Sequence, residues 1–397
     1  MPDLVKALAA RAPSIGALTR EISSADQVSR GYGHTLQEIC RQPKSWQAIA
    51  SQLSDCVLPG LESSGGLILT GSGSSHFIGV ALAPTLQVNL KRPVRAVSAG
   101  EILLSPEAYV NVEQCPTIVS FGRSGDSPES IAVADLIFDR WPQCEQIFVT
   151  CNPSGRLATA YESAPQIQTI VLGSDVNDQS LVMTSSFTSL WLAGRALGVR
   201  DGDSAVPAIA SSLAEMGQGL LLEYSERLAE LACRSFDRAA FLGSGPRFGA
   251  ALEAELKMIE MCGGRVTTCA ESYLGLRHGP MAGLTNRTLL VAFISTNNRR
   301  RAYELDLLNE VEQKELGLCV VYCGSNLPNE IKDSDGRLCV EYGVSSLLGD
   351  DDLVALDVLV GQLLGFFRCL HERLNPDAPS ETGVIDRVVP SFPTYSP

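Results

Sequence analysis

The chain has 397 residues, of which 45% are hydrophobic and 19% are charged, and its formal net charge is −14 at pH 7. This length exceeds that of one ordinary domain and predicts two domains with extensions. The negative charge argues against nucleic acid and anionic membranes as partners. Any bound phosphate must therefore be held locally by backbone N–H groups, hydroxyls and a few cations.

The amino-terminal segment MPDLVKALAARAPS lacks the apolar core of a signal peptide, and we expect no apolar run long enough to span a bilayer. The twelve cysteines are scattered without a C-x-x-C pair, which is typical of free thiols in a reducing compartment. These features predict a cytoplasmic protein without membrane contact. The four histidines include no pair at ligand spacing, so we expect neither a metal ion nor an organic cofactor.

Residues 1–62 are predicted to form a helical amino-terminal extension. Thr35 and Glu38 have the spacing of a capping box ahead of the helix-forming run LQEICRQPKSW. Apolar residues at helical spacing follow in SWQAIASQLSDCVL. We expect this extension to pack on a core or on a partner subunit.

Residues 63–205 read as a first α/β domain. A buried strand, a Gly-Ser-rich turn and a helix follow one another from Gly65, and the pattern recurs with a strand at residues 117–121. Further strands are predicted at residues 146–152 and 169–172, and a helix with a hydroxyl-rich start at residues 183–198. Strands that alternate with helices indicate a mainly parallel, doubly wound sheet. Residues 201–207 (DGDSAVP) are the predicted linker.

Two loops of this domain have the composition of an anion site. The first turn carries Ser74 and Ser75, and the loop after the next strand carries Arg123, Ser124 and Ser127. Loop N–H groups and a helix amino terminus at the carboxyl edge of a sheet suit an anionic ligand, and the planar guanidinium suits a phosphate. An ordinary polar loop is the alternative for either loop alone, but the two together favour a phosphate site. Ser127 is also expected to cap the following helix, with Pro128 at its first position.

The second half of the chain repeats the first. Residues 67–73 match residues 239–245, and TIVSF from residue 117 matches LLVAFIS from residue 289, so both pairs of segments have the same separation along the chain. We call this shared separation the repeat offset, and two matches at one offset indicate a duplicated domain. We assign residues 206–372 to this second domain and residues 373–397 to an extended, proline-rich tail. The predicted fold is α/β, with two tandem doubly wound parallel-sheet domains behind the helical extension.

The second domain holds the candidate acid–base residues. A helix predicted from about residue 247 to 261 places Glu253, Lys257 and Glu260 on one face, and His278 follows in the loop RHGP. A solvated salt-bridge ladder and a structural histidine are the alternatives. Sugar-phosphate isomerisation needs one group to open the ring and another to carry a proton between C2 and C1. A histidine and a carboxylate meet these two needs.

These segments resemble the sugar isomerase (SIS) domain family, and the fuller set resembles its AgaS group. The segments are TLQEICRQPKSW, LILTGSGSSHFIG, SFGRSGDSPES, VMTSSFTSL, FLGSGPRFGAALEAELKMIEM, LGLRHGPMAGL and RRAYELDLLNE, and the resemblance spans about residues 30 to 390. It implies two SIS-type, flavodoxin-like domains. AgaS-type proteins are associated with amino-sugar catabolism, as galactosamine-6-phosphate deaminase/isomerases or as tagatose-6-phosphate ketose/aldose isomerases.

The isomerase half of glucosamine-6-phosphate synthase is a relative whose site residues match positions of this chain. The resemblance implies phosphate binding by Ser75, Ser124 and Ser127. It implies proton transfer between C2 and C1 by Glu260, a helix lysine at Lys257 and ring opening by His278. In that relative the histidine reaches in from the neighbouring subunit, which implies a homodimer with shared active sites.

The sequence departs from this relative at several site positions. Arg123 stands where the relative has Gln, and Ser185, next to Thr184, replaces a lysine. Arg387 is the cation nearest to a lysine of the relative's carboxy-terminal loop. We include Thr184, Ser185 and Arg387 as candidate substrate-pocket residues. The glutaminase half of that relative has no counterpart here, which favours release of ammonia over synthesis.

We therefore expect a hexosamine-6-phosphate deaminase/isomerase of amino-sugar catabolism, which converts galactosamine 6-phosphate and water to tagatose 6-phosphate and ammonia. The same residues suit a phosphosugar aldose–ketose isomerase without deamination. A non-catalytic phosphosugar sensor is the third hypothesis, although no basic helix-turn-helix segment precedes Gly65. The galacto and gluco configurations differ at one hydroxyl and both stay open.

Overall fold

The structure is a computed structural model that describes residues 2–56, 61, 65–111, 113–199 and 205–395. Its strands form two five-stranded sheets. Those of sheet 1 are β1 (Leu67–Gly71), β2 (Val94–Ser98), β3 (Thr117–Gly122), β4 (Gln146–Thr150) and β5 (Ile167–Val171). Those of sheet 2 are β6 (Arg238–Leu242), β7 (Thr267–Glu271), β8 (Thr288–Phe293), β9 (Cys319–Gly324) and β10 (Arg337–Glu341).

Helices precede sheet 1 and connect the strands of both sheets. Before β1 lie α1 (Pro2–Arg11), α2 (Pro13–Thr19), α3 (Ser24–Ser29) and α4 (Gly33–Ser54). The helices from β1 to β6 are α5 (Ser74–Leu90), α6 (Ala99–Leu104), α7 (Pro106–Tyr109), α8 (Pro128–Arg140), α9 (Arg156–Thr159), α10 (Ser185–Ala196) and α11 (Ala205–Ala232). After β6 come α12 (Pro246–Met261), α13 (Tyr273–Leu276), α14 (Asn298–Gln313) and α15 (Val354–His371).

Both sheets have the same strand order. It is β2-β1-β3-β4-β5 in sheet 1 and β7-β6-β8-β9-β10 in sheet 2, and neighbouring strands are parallel throughout. This is the flavodoxin-like order of a doubly wound sheet. It confirms the predicted α/β fold with two tandem domains, and helices α1 to α4 confirm the helical extension.

The internal repeat is preserved in the strand register. Leu67 of β1 lies opposite Thr117 of β3. Ala239 of β6 lies opposite Leu289 of β8. Each residue of the second pair follows its counterpart in the first by the same repeat offset. A position in one sheet therefore has a definite equivalent in the other, and the loops after β3 and β8 can be compared residue by residue.

The chain divides into two compact units, each built on one sheet. We call Ser45–Asp178, Ser185–Ala210 and Ile385–Pro397 the sheet-1 unit, and Met1–Lys44, Gln179–Thr184 and Ser211–Val384 the sheet-2 unit. The domain boundaries drawn from the sequence remain predictions. Residue 62 and residues 201–204 of the predicted linker lie outside the described residues, and residues 205–207 belong to α11.

Most of the strands that the sequence revealed are buried, although the edge strand β5 was also predicted and is partly exposed. Every residue of β1, β3, β4 and β8 is buried, and such uninterrupted apolar runs are typical of central strands in a parallel sheet. Two edge strands, β2 and β7, were not predicted. Their sequences VRAVS and TTCAE mix polar with apolar residues and are partly exposed, so they lack the continuous apolar run of a buried strand.

Residues 1–44 of the amino-terminal extension belong to the sheet-2 unit, and the capping box predicted there is wrong. Helix α4 begins at Gly33, so Thr35 is already helical. The N–H and hydroxyl of Thr35 donate to the Asp377 carboxylate at 2.7 and 2.8 Å, and the His34 N–H donates to it at 3.1 Å. Glu38 instead accepts hydrogen bonds from Gln179 and Ser180. The cap of α4 thus comes from the carboxy-terminal segment.

Two helices are long and apolar enough to cross a membrane by length and composition, contrary to the expectation from the sequence: Ala205–Ala232 and Val354–His371. The second is a core helix. It is buried almost throughout, and its Asp357 and Arg368 side chains bond to other protein groups. It packs on α12 so closely that a Cβ at Gly361 would lie 2.5 Å from the Cβ of Ala254.

The cap on α4 can be tested by Asp377→Ala. The substitution removes the acceptor of two backbone N–H groups at the helix start, so we expect a loss of roughly 1–2 kcal/mol in the free energy of unfolding. Urea denaturation followed by circular dichroism measures it. Asp386→Ala, at an exposed aspartate of the tail, is the control and should unfold like the wild type. Equal midpoints for the two variants would contradict the cap.

Candidate active site

Helix α12 carries the acid–base residues of the sheet-2 unit. It starts directly after the turn Gly243-Ser244-Gly245, where Gly245 has a φ of +58° that favours glycine. Pro246 occupies the first helical position, and alanines at 250, 251 and 254 give the helix a small, buried face. This face allows the close approach of α15.

Lys257 lies fully buried between two carboxylates of the same helix. Its Nζ is 3.2 Å from Glu253 Oε1 and 2.5 Å from Glu260 Oε2. Burial lowers the pKa of Lys257, but the two carboxylates outweigh that effect and raise the pKa above its ordinary value. The lysine therefore stays cationic. A solvated ladder does not fit a lysine and a glutamate that are both inaccessible to solvent.

Glu260 is the member of this cluster that reaches solvent. Its side chain is 21% exposed, whereas Glu253 and Lys257 are fully buried. A ligand can therefore contact the Glu260 carboxylate but not the other two groups. The buried ammonium of Lys257 lies 2.5 Å from this carboxylate and holds it in place.

The amino-terminal end of α12 is held by a second buried ion pair. Arg247 Nε is 2.6 Å from the Asp357 carboxylate of α15, and both side chains are inaccessible. The guanidinium also donates to two carbonyl oxygens, that of Ile294, which directly follows β8, and that of Cys323, the last residue but one of β9. This single side chain therefore joins α12, α15 and two strand ends.

His278 is exposed in the loop that follows α13. The backbone N–H of His278 donates to the Gly275 carbonyl at 2.9 Å, and the next residue, Gly279, has a φ of +129°. The neighbouring Arg277 fixes this loop to α14 through Glu310 at 2.7 Å and Asp306 at 2.8 Å. In the described part of the chain, no hydrogen bond or ion pair joins His278 to Glu260. The imidazole is available to a ligand or to another subunit.

The first hydroxyl-rich turn lies in the sheet-1 unit at the start of α5. Ser74 and Ser75 are both buried, and the Ser75 N–H donates to the Ser72 carbonyl at 3.1 Å. A Cβ at Gly71 would lie 2.6 Å from the Cβ of Ser75, so glycine is required for the turn to approach the strand end. Both serines thus lie where β1 ends, at the carboxyl edge of sheet 1.

We call residues 122–127 the anion loop. The Asn152 amide donates to the Ser124 carbonyl at 2.8 Å, and the Ser124 hydroxyl accepts the Asp126 N–H at 3.2 Å. Ser127 is the N-cap residue of α8, but its hydroxyl makes no capping bond, so that part of the prediction is wrong. Arg123 is buried, and its guanidinium donates to the Arg387 carbonyl of the tail. The tail therefore contacts the anion loop.

The three candidate pocket residues have protein partners. The Ser185 hydroxyl donates to Asp178, and the Thr184 hydroxyl to Glu38 at 3.4 Å. Both side chains are completely buried. Arg387 is half-buried and donates to the Asp178 carbonyl at 2.6 and 2.9 Å. Their contact with a substrate remains a prediction.

Sequence reasoning missed the buried aspartates of both units. Asp178 accepts from the Ser186 N–H and hydroxyl at 2.8 and 2.6 Å, which fixes the start of α10. Asp350 accepts several hydrogen bonds in the loop that follows β8. The signal was present in the sequence, since the repeat offset also relates these two aspartates to each other. Among the described residues, no cluster of three or more His, Cys, Asp or Glu side chains could hold a metal ion.

Comparison with known proteins assigns the family. A Streptomyces coelicolor relative that carries the AgaS name is 34% identical over 380 residues, which are 91% of this chain and 95% of the relative. The chain belongs to the AgaS family. A second relative, from a Shewanella species (strain ANA-3), is named D-galactosamine-6-phosphate deaminase AgaS. It is 31% identical over 390 residues, and the match covers 94% of this chain and 94% of the relative. No model of a known protein family matches the chain.

The fold of the AgaS family is also present among solved structures. A crystal structure named tagatose-6-phosphate ketose/aldose isomerase, from Escherichia coli, matches with a TM-score of 0.79 and 28% identity. The match covers 89% of this chain and 96% of that one. The family resemblance drawn from the sequence segments is thus confirmed, while the roles of individual residues remain predictions.

The buried lysine can be tested by Lys257→Met. The change leaves Glu253 as a buried charge without its cation, so we expect a loss of about 3–5 kcal/mol in the free energy of unfolding. Urea denaturation measures it, and Lys257→Met/Glu253→Leu should recover most of the loss. Lys314→Met, at a half-exposed lysine paired with Glu310, is the matched control and should cost less than about 1 kcal/mol. Similar losses for the two single variants would refute the buried pairing.

Proposed function

We propose that the protein is a hexosamine-6-phosphate deaminase/isomerase that converts galactosamine 6-phosphate and water to tagatose 6-phosphate and ammonia. The observation that carries the proposal is the Glu260 carboxylate, which is accessible to a ligand and lies 2.5 Å from a buried, cationic lysine. The deaminase name of the Shewanella relative supports the reaction and the galacto configuration.

The proposed chemistry needs two proton carriers. His278 opens the sugar ring by moving a proton between the ring oxygen and the anomeric oxygen. Glu260 then takes the proton from C2 of the open chain and returns it to C1, while O1 gains the proton that the amine loses, which leaves an imine at C2. Water adds to C2 and the C–N bond breaks, so ammonia leaves and a ketose 6-phosphate remains. Lys257 holds the Glu260 carboxylate in place through the ion pair between them.

The anion loop and the first turn are the proposed phosphate ligands. Ser75, Ser124 and Ser127 supply hydroxyls, with Ser74 beside them and Arg123 as the cation. Ser127 is suited to this role, because its hydroxyl is not used to cap α8. The start of α8 contributes N–H groups and the positive end of its dipole. Arg387, which contacts the anion loop through its carbonyl, and Ser185 are further proposed pocket residues of this unit, and Thr184 is kept as a separate proposed substrate contact.

We also propose that the protein is a cytoplasmic homodimer in which His278 of one subunit serves the Glu260 of the other. The exposed position of His278 and the absence of a hydrogen bond or ion pair to Glu260 in the described part of one chain support this arrangement. No metal ion or organic cofactor is required by the proposed steps.

An aldose–ketose isomerase without deamination is the second candidate. The 28% identical Escherichia coli structure, named tagatose-6-phosphate ketose/aldose isomerase, favours it. The same two proton carriers would act on a substrate with a hydroxyl in place of the amine at C2. Free ammonia among the products separates the two reactions.

The reaction is tested with the purified protein and galactosamine 6-phosphate, glucosamine 6-phosphate and their N-acetylated forms. We expect ammonia and tagatose 6-phosphate from galactosamine 6-phosphate, measured by a coupled ammonia assay and by chromatography of the ketose. Interconversion of tagatose 6-phosphate with its aldose, without ammonia from any amino sugar, would establish the plain isomerase instead.

The role of Glu260 is tested by Glu260→Gln, which keeps the shape of the side chain and removes its base. We expect kcat to fall by about 100-fold or more with little change in KM. Glu255→Gln is the matched control, because Glu255 lies on the same helix and bonds to Thr268 instead. A Glu260→Gln variant with near wild-type kcat would rule this assignment out.

Shared active sites are tested by mixing two variants, Glu260→Gln and His278→Ala, each of low activity alone. Random exchange of subunits gives mixed dimers with one intact site each, so about a quarter of wild-type activity should return. Mixing each variant with itself is the control. No recovery, despite subunit exchange shown by differently tagged chains, would mean that each chain supplies both groups to its own site.

A further inference from the structure

The loop after β8 is the equivalent of the anion loop. By the repeat offset, Arg123 and Ser124 correspond to Ser295 and Thr296. Both loops lead into a helix, α8 in sheet 1 and α14 in sheet 2, and both have a Gly-Ser-Gly turn on the neighbouring strand. In sheet 2 that turn lies against Arg300, since a Cβ at Gly245 would be 3.5 Å from its Cζ.

A carboxylate of the same chain occupies this second loop. Asp350 Oδ1 accepts the Thr296 N–H at 2.6 Å and the Thr296 hydroxyl at 3.0 Å. Its Oδ2 accepts the Ser295 hydroxyl and lies 2.9 Å from Arg300 Nη1. One N–H, two hydroxyls and one guanidinium therefore converge on a single buried anion. These are the donor types of a phosphate site.

The surroundings keep this aspartate ionised. Burial raises its pKa, but Arg247 and the donors Ser295 and Thr296 outweigh burial and hold the pKa of Asp350 below its ordinary value. Its side chain is only 4% exposed, whereas Arg300 is 45% exposed. The cation of this pair can therefore be reached from solvent even though the anion is buried.

We propose that the sheet-2 unit retains a second oxyanion site of the duplicated fold, and that Asp350 fills it as a built-in anion. The carboxylate takes the position that a small oxyanion, such as formate or inorganic phosphate, would otherwise occupy. Because the site is filled, the wild-type chain binds the phosphate group of a phosphosugar only at the anion loop of the sheet-1 unit. That last consequence rests on the proposed function, but the occupancy of the second loop does not.

The experiment is chemical rescue of Asp350→Ala. The substitution removes the anion and leaves the donors of Ser295, Thr296 and Arg300 in place. In buffer that contains only chloride, we expect the melting temperature to fall by roughly 5–10 °C. Formate or inorganic phosphate at the same ionic strength should restore a large part of this loss. The recovery should saturate with concentration, as mass action requires of a specific site.

Three controls separate a site from a general salt effect. The wild type measures any stabilisation by phosphate bound elsewhere, including the proposed substrate site, and this shift is subtracted. Asp350→Ala/Arg300→Met lacks the exposed cation and should not be rescued. Asp333→Ala removes the anion of a surface pair with Arg227 at 2.9 Å. Formate should change the melting temperature of this variant no more than that of the wild type.

The outcomes decide the proposal independently of catalysis. Saturable rescue of Asp350→Ala by formate, with or without rescue by phosphate, supports a filled oxyanion site. Rescue by phosphate as well would show that the emptied site accepts the larger anion. The proposal is overturned if neither formate nor phosphate stabilises Asp350→Ala more than it stabilises the wild type. Absence of deaminase activity in the wild type would refute the proposed function and leave the rescue result unaffected.

Discussion

The burial of Lys257 between Glu253 and Glu260 is the constraint on which the sheet-2 unit depends. A buried ammonium costs several kcal/mol unless carboxylates compensate it, and Glu253 and Glu260 of the same helix supply that compensation, so this face of α12 can be buried. The other contacts of α12 serve the same end. Arg247 fixes its first turn to Asp357, and Gly361 lets α15 approach its alanine face. The accessible carboxylate of Glu260 is therefore held in one orientation before any ligand arrives.

Duplication gave two sheets with one topology, and the two copies differ in their charges. By the repeat offset, the equivalents of Arg247 and Asp357 in the first copy are Ser75 and Ser185. An internal ion pair in one unit thus corresponds to two hydroxyls in the other. In the first copy the Ser185 hydroxyl donates to the Asp178 carboxylate, whereas in the second copy Arg247 and Asp357 neutralise each other. The same framework therefore carries hydroxyls at these positions in one unit and a stabilising ion pair in the other.

The sequence predicted the parts of the fold that depend on local signals. The buried strands β1, β3 and β8 have continuous apolar runs, and α12 has a glycine turn, a proline and a one-sided charge pattern. The failures involve residues distant in sequence. Thr35 and Glu38 match a capping box, yet the acceptor of the Thr35 N–H is Asp377, 342 residues away. No local pattern distinguishes such a cap, and none shows that Lys257 is buried rather than solvated.

The charge of the α12 cluster favours a sugar phosphate with an ammonium group at C2 over one with a hydroxyl there. Two carboxylates and one ammonium leave one net negative charge on this face, and Glu260 is where solvent reaches it. A hexosamine phosphate carries an ammonium group at C2, next to the proton that Glu260 would remove. The attraction between this ammonium and the Glu260 carboxylate offsets the cost of desolvating the ammonium. A hydroxyl at C2 carries no charge and gains no such attraction. Isomerisation and deamination share every proton transfer up to the C2 imine or ketone, so the substrate's own amine decides whether ammonia leaves.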